Sequence, residues 1–280
     1  MMKNKALLLA VLVTTAMQVC AQGKSKVGNR YVNPFGVLSL TGGIGIAYYM
    51  GDLNDGVNMK HLGLGPSVSL GALYRLSEHV SARGELRFYQ VSGDQKYAKN
   101  FQNNLSFKTF NPDINLGIQA DLFSFNRQAR INPYLMAGAG FTLLNPKARL
   151  DGKWYKLAPL TTEGVKYNRL PLVFTAGIGT SFKTSERLSL GVELCNNFVN
   201  SDYLDDVSTV YPNPDQLPSD LARRLSDRSS EIGQEPRQPG WNRGSAKSKD
   251  SYLFLQMRAT YLIGNRMQAQ ERKKTRCPKF

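Results

Sequence analysis

Along most of the chain, large apolar residues return at every second position, the spacing of a strand with one greasy face rather than of a helix. In Leu188-Ser189-Leu190-Gly191-Val192-Glu193-Leu194-Cys195-Asn196 the residues between the apolar ones are small, polar or charged. Val80 to Tyr89 repeats the pattern, with Val80, Ala82, Gly84, Leu86 and Phe88 on one face and Ser81, Arg83, Glu85, Arg87 and Tyr89 on the other. So does Ser251 to Tyr261, where Leu253, Leu255 and Met257 oppose Gln256, Arg258 and Thr260. Further strands are predicted over 36–50, 64–76, 108–123, 131–144 and 167–183, which makes eight. Each is long enough for the roughly 9 to 11 residues with which a tilted strand crosses a bilayer.

A soluble sandwich alternates too, so the connections decide between the two. They are long at 50–63, 93–107, 145–166 and 200–250, and short at 77–79, 124–130 and 184–187. Such strict alternation predicts an all-β, eight-stranded antiparallel up-and-down transmembrane barrel of the outer-membrane kind, with long extracellular loops and short periplasmic turns. An even strand count puts both termini in the periplasm. Arg83, Glu85, Arg87, Asp121, Glu193 and Arg258 could not face lipid, so they are expected in the lumen, where side chains fill an eight-stranded interior. They should form a mutually neutralising charge network that leaves no open pore.

Composition sharpens this picture. No run approaches the ~18 apolar residues of a membrane-spanning helix, and 13 Phe and 13 Tyr in ordered alternation exclude a disordered chain. Residues 1–21 read as a signal peptide: Lys3 and Lys5 lead an apolar stretch from Ala6 to Ala16, and Val19-Cys20-Ala21 offers a cleavage site before Gln22. Met17-Gln18-Val19 lacks the small residue expected before a lipidated Cys20. A periplasmic leader then covers 22–35, the barrel 36–263 and a basic tail 264–280.

Catalytic chemistry finds little support. Of the two histidines, His79 falls in a short turn and His61 in the first long loop, where Asp52 and Asp55 are its nearest acids. A hydrolase needs a base beside a nucleophile or activated water, and only His61 could serve so at the outer rim; a lone loop histidine is usually solvated. The acids Asp202, Asp205 and Asp206 lack the spacing of a recognised calcium loop and read as a polar loop. Gly43-Ile44-Gly45, Gly138-Ala139-Gly140 and Gly177-Ile178-Gly179 lie inside strands rather than before helices, so they should ease curvature or admit bulky lumen neighbours rather than cradle phosphate. The net charge of +15 could suggest nucleic acid, but an exported chain with no basic–aromatic groove does not support that partner. No cofactor, metal or small-molecule substrate is expected, and Cys195 should be a buried lumen thiol.

The tail carries the one strong charge bias. Arg266, Arg272, Lys273, Lys274, Arg276 and Lys279 face Glu271 as the only acid there. A solvated end is the plain reading. The functional reading is a docking arm for an acidic periplasmic partner, which Cys277 could cross-link.

Several strings resemble one family. They are Tyr49-Met50-Gly51-Asp52-Leu53-Asn54, Gly152-Lys153-Trp154-Tyr155-Lys156-Leu157, Pro159-Leu160-Thr161-Thr162-Glu163-Gly164, Ser201-Asp202-Tyr203-Leu204-Asp205-Asp206-Val207-Ser208-Thr209, Leu225-Ser226-Asp227-Arg228-Ser229, and Arg243-Gly244 ahead of Lys249-Asp250-Ser251-Tyr252. Together they resemble the PorG-like outer-membrane barrels of the Bacteroidota type IX secretion system, from whose pattern Ser245-Ala246 and Ser251 depart. The resemblance implies a non-enzymatic part of a protein-export machine, bound to a periplasmic ring subunit and an outer-membrane lipoprotein. The alternative is a stand-alone barrel for adhesion or envelope integrity.

Overall fold

The computed structural model describes residues 34–54, 63–97, 100–245 and 249–264. Eight long strands form the wall: β1 (Leu38–Met50), β2 (Gly65–Arg75), β3 (Val80–Asp94), β4 (Ser106–Asp121), β5 (Ile131–Thr142), β8 (Leu172–Lys183), β9 (Leu188–Val199) and β10 (Ser251–Gly264). Each pairs antiparallel with its neighbour, and β10 returns to β1 through pairs such as Met257↔Ile44, which closes the barrel. Closure removes the exposed sheet edges that a bilayer would not tolerate. Among the described residues no helix is long and apolar enough to cross a membrane.

The alternation sorts the two faces as the pattern requires. Met257 is 68% exposed while Gln256 and Arg258 beside it are 2% and 6% exposed. Leu190, Val192, Leu194 and Leu255 also point outward, and Leu253 is half-buried on the same face. Phe88, Phe110, Phe141, Phe174 and Phe198 form an exposed aromatic girdle toward the long loops. Tyr74, Phe182 and Tyr261 form its counterpart toward the short turns, so an apolar belt lies between two interfaces.

Two elements depart from the sequence reading. The third long connection contains a hairpin, β6 (Lys147–Leu150) and β7 (Lys153–Lys156), joined to the barrel by the pair Lys108↔Lys147. Its strands are four residues each, too short for alternation to register. The signal was in the turn, because Asp151 and Gly152 both take positive φ, as an Asp-Gly hairpin favours. The strand expected from 167 begins at Leu172 instead, since Tyr167 turns its hydroxyl into the loops. In the fourth long loop, α1 (Asp220–Ser226) starts where the Ser219 hydroxyl accepts the Ala222 N–H at 3.2 Å.

The inward residues of β3 measure out the lumen. Ser81 lines a cavity of about 150 Å³ at the short-turn end. Arg83 and Glu85 lie in an ionic layer, Arg87 in a second one, and Tyr89 stacks on Tyr252 with centroids 4.3 Å apart. Val91 enters an apolar core with Leu53, Phe107, Leu144, Leu204 and Val207 beneath the long loops.

Candidate functional site

Two polar assemblies stand out, one within the barrel and one above it. In the lumen the register brings Arg83, Glu85, Glu193 and Arg258 together. Arg83 grips Glu193 with two hydrogen bonds of 2.7 Å from its two terminal nitrogens, a fork-to-fork geometry stronger than a single contact. It also reaches Glu85 at 2.9 Å. Arg258 closes the square, pairing with Glu85 and lying 3.3 Å from Glu193. Tyr134 donates to Glu193 at 2.8 Å. It has room because a side chain at Gly179 would fall within 2.4 Å of its ring, so glycine is required there.

The other two expected members take different partners. Arg87 forms a two-pronged contact with Asp113 at 2.9 Å on each side, and Asp113 also accepts the Tyr252 hydroxyl at 2.5 Å. Asp121 pairs with Arg75 at 2.5 Å, near the short-turn end. Gln119 connects it to the square, donating to Asp121 and accepting from Arg83. Asp113 and Arg75 were missing from the sequence reading. Asp113 was within reach of it, because an even separation from Asp121 on one strand puts both on the same face. These pairs balance arginine against carboxylate, so the basic surplus of the chain lies elsewhere. Cys195 is a free, buried thiol among them.

The second assembly is a cap folded from the long loops. Gly51 forms its base, because a side chain there would meet the Asp250 carboxylate at 2.1 Å and the Tyr49 hydroxyl at 2.2 Å. The Tyr49 hydroxyl lies 2.5 Å from Asp205 and 3.0 Å from Asp250, which ties both ends of the fourth loop to the rim of β1. The Val207 and Leu204 amides hold the other oxygens of those two acids at 2.9 Å. Glu163 of the third loop receives Arg243 at 2.9 Å and the Ser208 amide at 2.9 Å. Asp206 accepts the hydroxyls of Tyr167, at 2.7 Å, and Thr162. Asp202, Asp205 and Asp206 lie in a loop, as read from the sequence, and all three are buried in it.

Burial raises the affinity of these acids for protons. Desolvation, with Asp250 close by, lifts Asp205 well above the usual carboxylate range. Asp250 itself is pushed up to about 7, first by burial. Asp206 rises to about 6 by burial, against the opposing pull of Arg243. A single tyrosine hydrogen lies between Asp205 and Asp250, so the arrangement holds together best with one of the two protonated.

Among the described residues no three metal-ligating side chains converge. His79 is exposed in the β2–β3 turn, and His61 lies outside the described residues. Arg266, Arg272, Lys273, Lys274, Arg276 and Cys277 lie outside them too, as does the signal segment. The built features of the molecule are thus a cross-braced lumen and a folded outer cap.

Among known proteins, solved structures similar to the chain include Neisserial surface protein A, at 11% identity and TM-score 0.42, covering 80% of this chain and 96% of that one. Ail, the attachment invasion locus protein of Yersinia pestis, matches at 10% identity and TM-score 0.39 over 82% of this chain and 99% of its own. The N-terminal β-barrel domain of Pseudomonas aeruginosa OprF matches at 9% identity and TM-score 0.35, over 80% and 97%. No curated protein sequence matches the chain. The family described as outer membrane protein beta-barrel domain matches residues 6–206. With its closed eight-stranded wall and apolar belt, the chain belongs to that family of outer-membrane β-barrels.

Proposed function

We propose that this barrel is a non-enzymatic outer-membrane component of a type IX protein-secretion machine, holding a periplasmic ring subunit and a lipoprotein at the membrane. The observation that carries the reading is where the resembling strings fall in the fold. Tyr49, Gly51, Glu163, Asp205, Asp206, Arg243 and Asp250 all belong to those strings, and all are built into one cap. The shared residues thus specify a particular loop architecture, beyond what any eight-stranded barrel needs.

The lumen supports a holding role over a conducting one, since ion pairs cross it in two layers. The docking arm is the basic tail, with Arg266, Arg272, Lys273, Lys274 and Arg276 steering it to an acidic surface and Cys277 available for a disulfide. Attraction of this kind is screened beyond about 8 to 10 Å at physiological salt.

Affinity capture of the tagged full chain from detergent-solubilised envelopes, read by mass spectrometry, tests the proposal. A ring subunit and a lipoprotein should co-purify, and deletion of 264–280 should release them while leaving the barrel in the membrane. If neither co-purifies from an envelope in which both are present, the stand-alone adhesion or envelope barrel replaces this reading.

A further inference from the structure

The outer flank of the barrel carries an uncompensated cationic row. Lys108 of β4 is exposed on the lipid-facing side, one pleat beyond the girdle residue Phe110, with Thr109 between them turned inward. Lys108 pairs with Lys147 of β6, and Lys147 with Lys156 of β7. Directly paired residues of neighbouring strands share a face, so three lysines stand side by side across three strands. Two residues further along the hairpin the pair Arg149↔Trp154 lies on that face as well. Trp154 is 51% exposed, and the Lys108 ammonium lies 5.9 Å from the centre of its ring.

Like charges placed directly opposite one another oppose sheet formation, and nothing local neutralises these. None of Lys108, Lys147, Arg149 and Lys156 makes an ion pair with a described carboxylate. Asp151 at the hairpin tip is taken by Arg224 at 2.7 Å. Asp94 is one pleat away along β3 from Ser92, the partner of Lys108, and its carboxylate accepts the Lys96 amide at 2.9 Å. The hairpin cannot turn the row away, because Ala148 and Leu150 on its other face are packed with Leu157, Leu225 and Leu221 beneath the cap. The face is therefore held rigidly at the level where the hydrocarbon belt gives way to headgroups.

We infer that Lys108, Lys147, Lys156 and Arg149, with Trp154, form a binding site for the phosphate groups of anionic lipids in the surrounding leaflet. Position selects lipid over a soluble anion: the row continues the lipid-facing side of β4 just past an aromatic girdle, where basic and tryptophan side chains meet headgroups. Bound phosphates would relieve the repulsion among the lysines and fix the hairpin against the membrane.

The test uses the purified full chain in nanodiscs of mixed phosphatidylcholine and phosphatidylglycerol, with the lipids retained on release into detergent counted by native mass spectrometry. The wild-type barrel should retain phosphatidylglycerol several-fold above its bulk proportion, and Lys108→Gln/Lys147→Gln/Lys156→Gln should return the ratio to bulk. A heat-modifiable gel shift checks that this variant remains a folded barrel. Arg272→Gln/Lys273→Gln/Lys274→Gln removes the same charge elsewhere and should keep the enrichment. Enrichment that survives the row variant, or that falls equally in the tail variant, overturns the assignment. Enrichment abolished by inorganic phosphate at physiological concentration overturns it in favour of a soluble anion.

Discussion

Arg83 and Glu193 meet across the lumen from β3 and β9, 110 residues apart in the chain, through two hydrogen bonds of 2.7 Å. Both side chains are 2% exposed, so neither charge has water to fall back on. Glu193→Gln would leave Arg83 and Arg258 with Glu85 as their shared counter-ion. Removing one partner of a buried pair costs about 3 to 5 kcal/mol. Urea titration of the folded barrel in micelles should show that loss in midpoint, and a change below about 1 kcal/mol would mean the network contributes little.

The same pairs predict electrical behaviour. With arginine–carboxylate layers at Arg83 and at Arg87, purified protein in planar bilayers should show no steady large conductance. Replacing Arg83, Glu85, Glu193 and Arg258 together by serine should raise conductance if the barrel still folds. Stable porin-like channels from the wild-type chain would refute the braced lumen.

On the outer wall, Val192 faces lipid midway along β9. Val192→Arg should cost about 2 to 4 kcal/mol near the bilayer centre. The neighbouring inward position fails differently: a side chain at Gly191 meets the Thr180 carbonyl at 2.5 Å, so Gly191→Ala strains backbone and not solvation. Folding yield into vesicles of different thickness separates the two, since only the lipid-facing change depends on depth.

The cap should loosen as pH rises. Asp250 and Asp206 have folded-state values of about 7 and about 6, against an unfolded value near 3.9. The folded cap therefore binds more protons than the unfolded one across that interval, so its stability is greatest below about pH 4, falls as pH climbs from there to about 7, and levels off above. Hydrogen exchange at the Leu204 and Val207 amides, which bond Asp250 and Asp205, should accelerate over that range beyond the ordinary base-catalysed rise. Tyr49→Phe should remove the hydroxyl that joins the two acids and speed exchange at every pH.

How far the sequence alone reached depends on the range of each interaction. The barrel was legible because a lipid-facing wall imposes period two on every strand, and inward charges such as Glu193 and Arg258 declared their side. Partner choice was not legible. Whether Arg87 meets Glu85 or Asp113 is set by the β3–β4 register, which pairs Arg87 with Asp113 directly. The cap was hidden for a related reason: Tyr49, Glu163, Asp205, Arg243 and Asp250 come from distant segments, and no local period marks an acid that folding will bury. Ser201 to Thr209 read only as a polar loop, because alternating polar and apolar residues in a loop carry no facing rule that would mark Asp205 and Asp206 as buried.

The proposed secretion role requires the barrel to hold periplasmic components at the outer membrane. The most direct measurement is cargo secretion by the native strain lacking this chain, complemented with wild-type protein or with Arg266, Arg272, Lys273, Lys274 and Arg276 replaced by glutamine. The account predicts that wild type restores cargo outside the cell, whereas the neutralised variant reaches the membrane in equal amount yet leaves cargo in the periplasm. Cargo secreted normally without the chain would contradict the secretion role, and full restoration by the neutralised variant would contradict the docking arm.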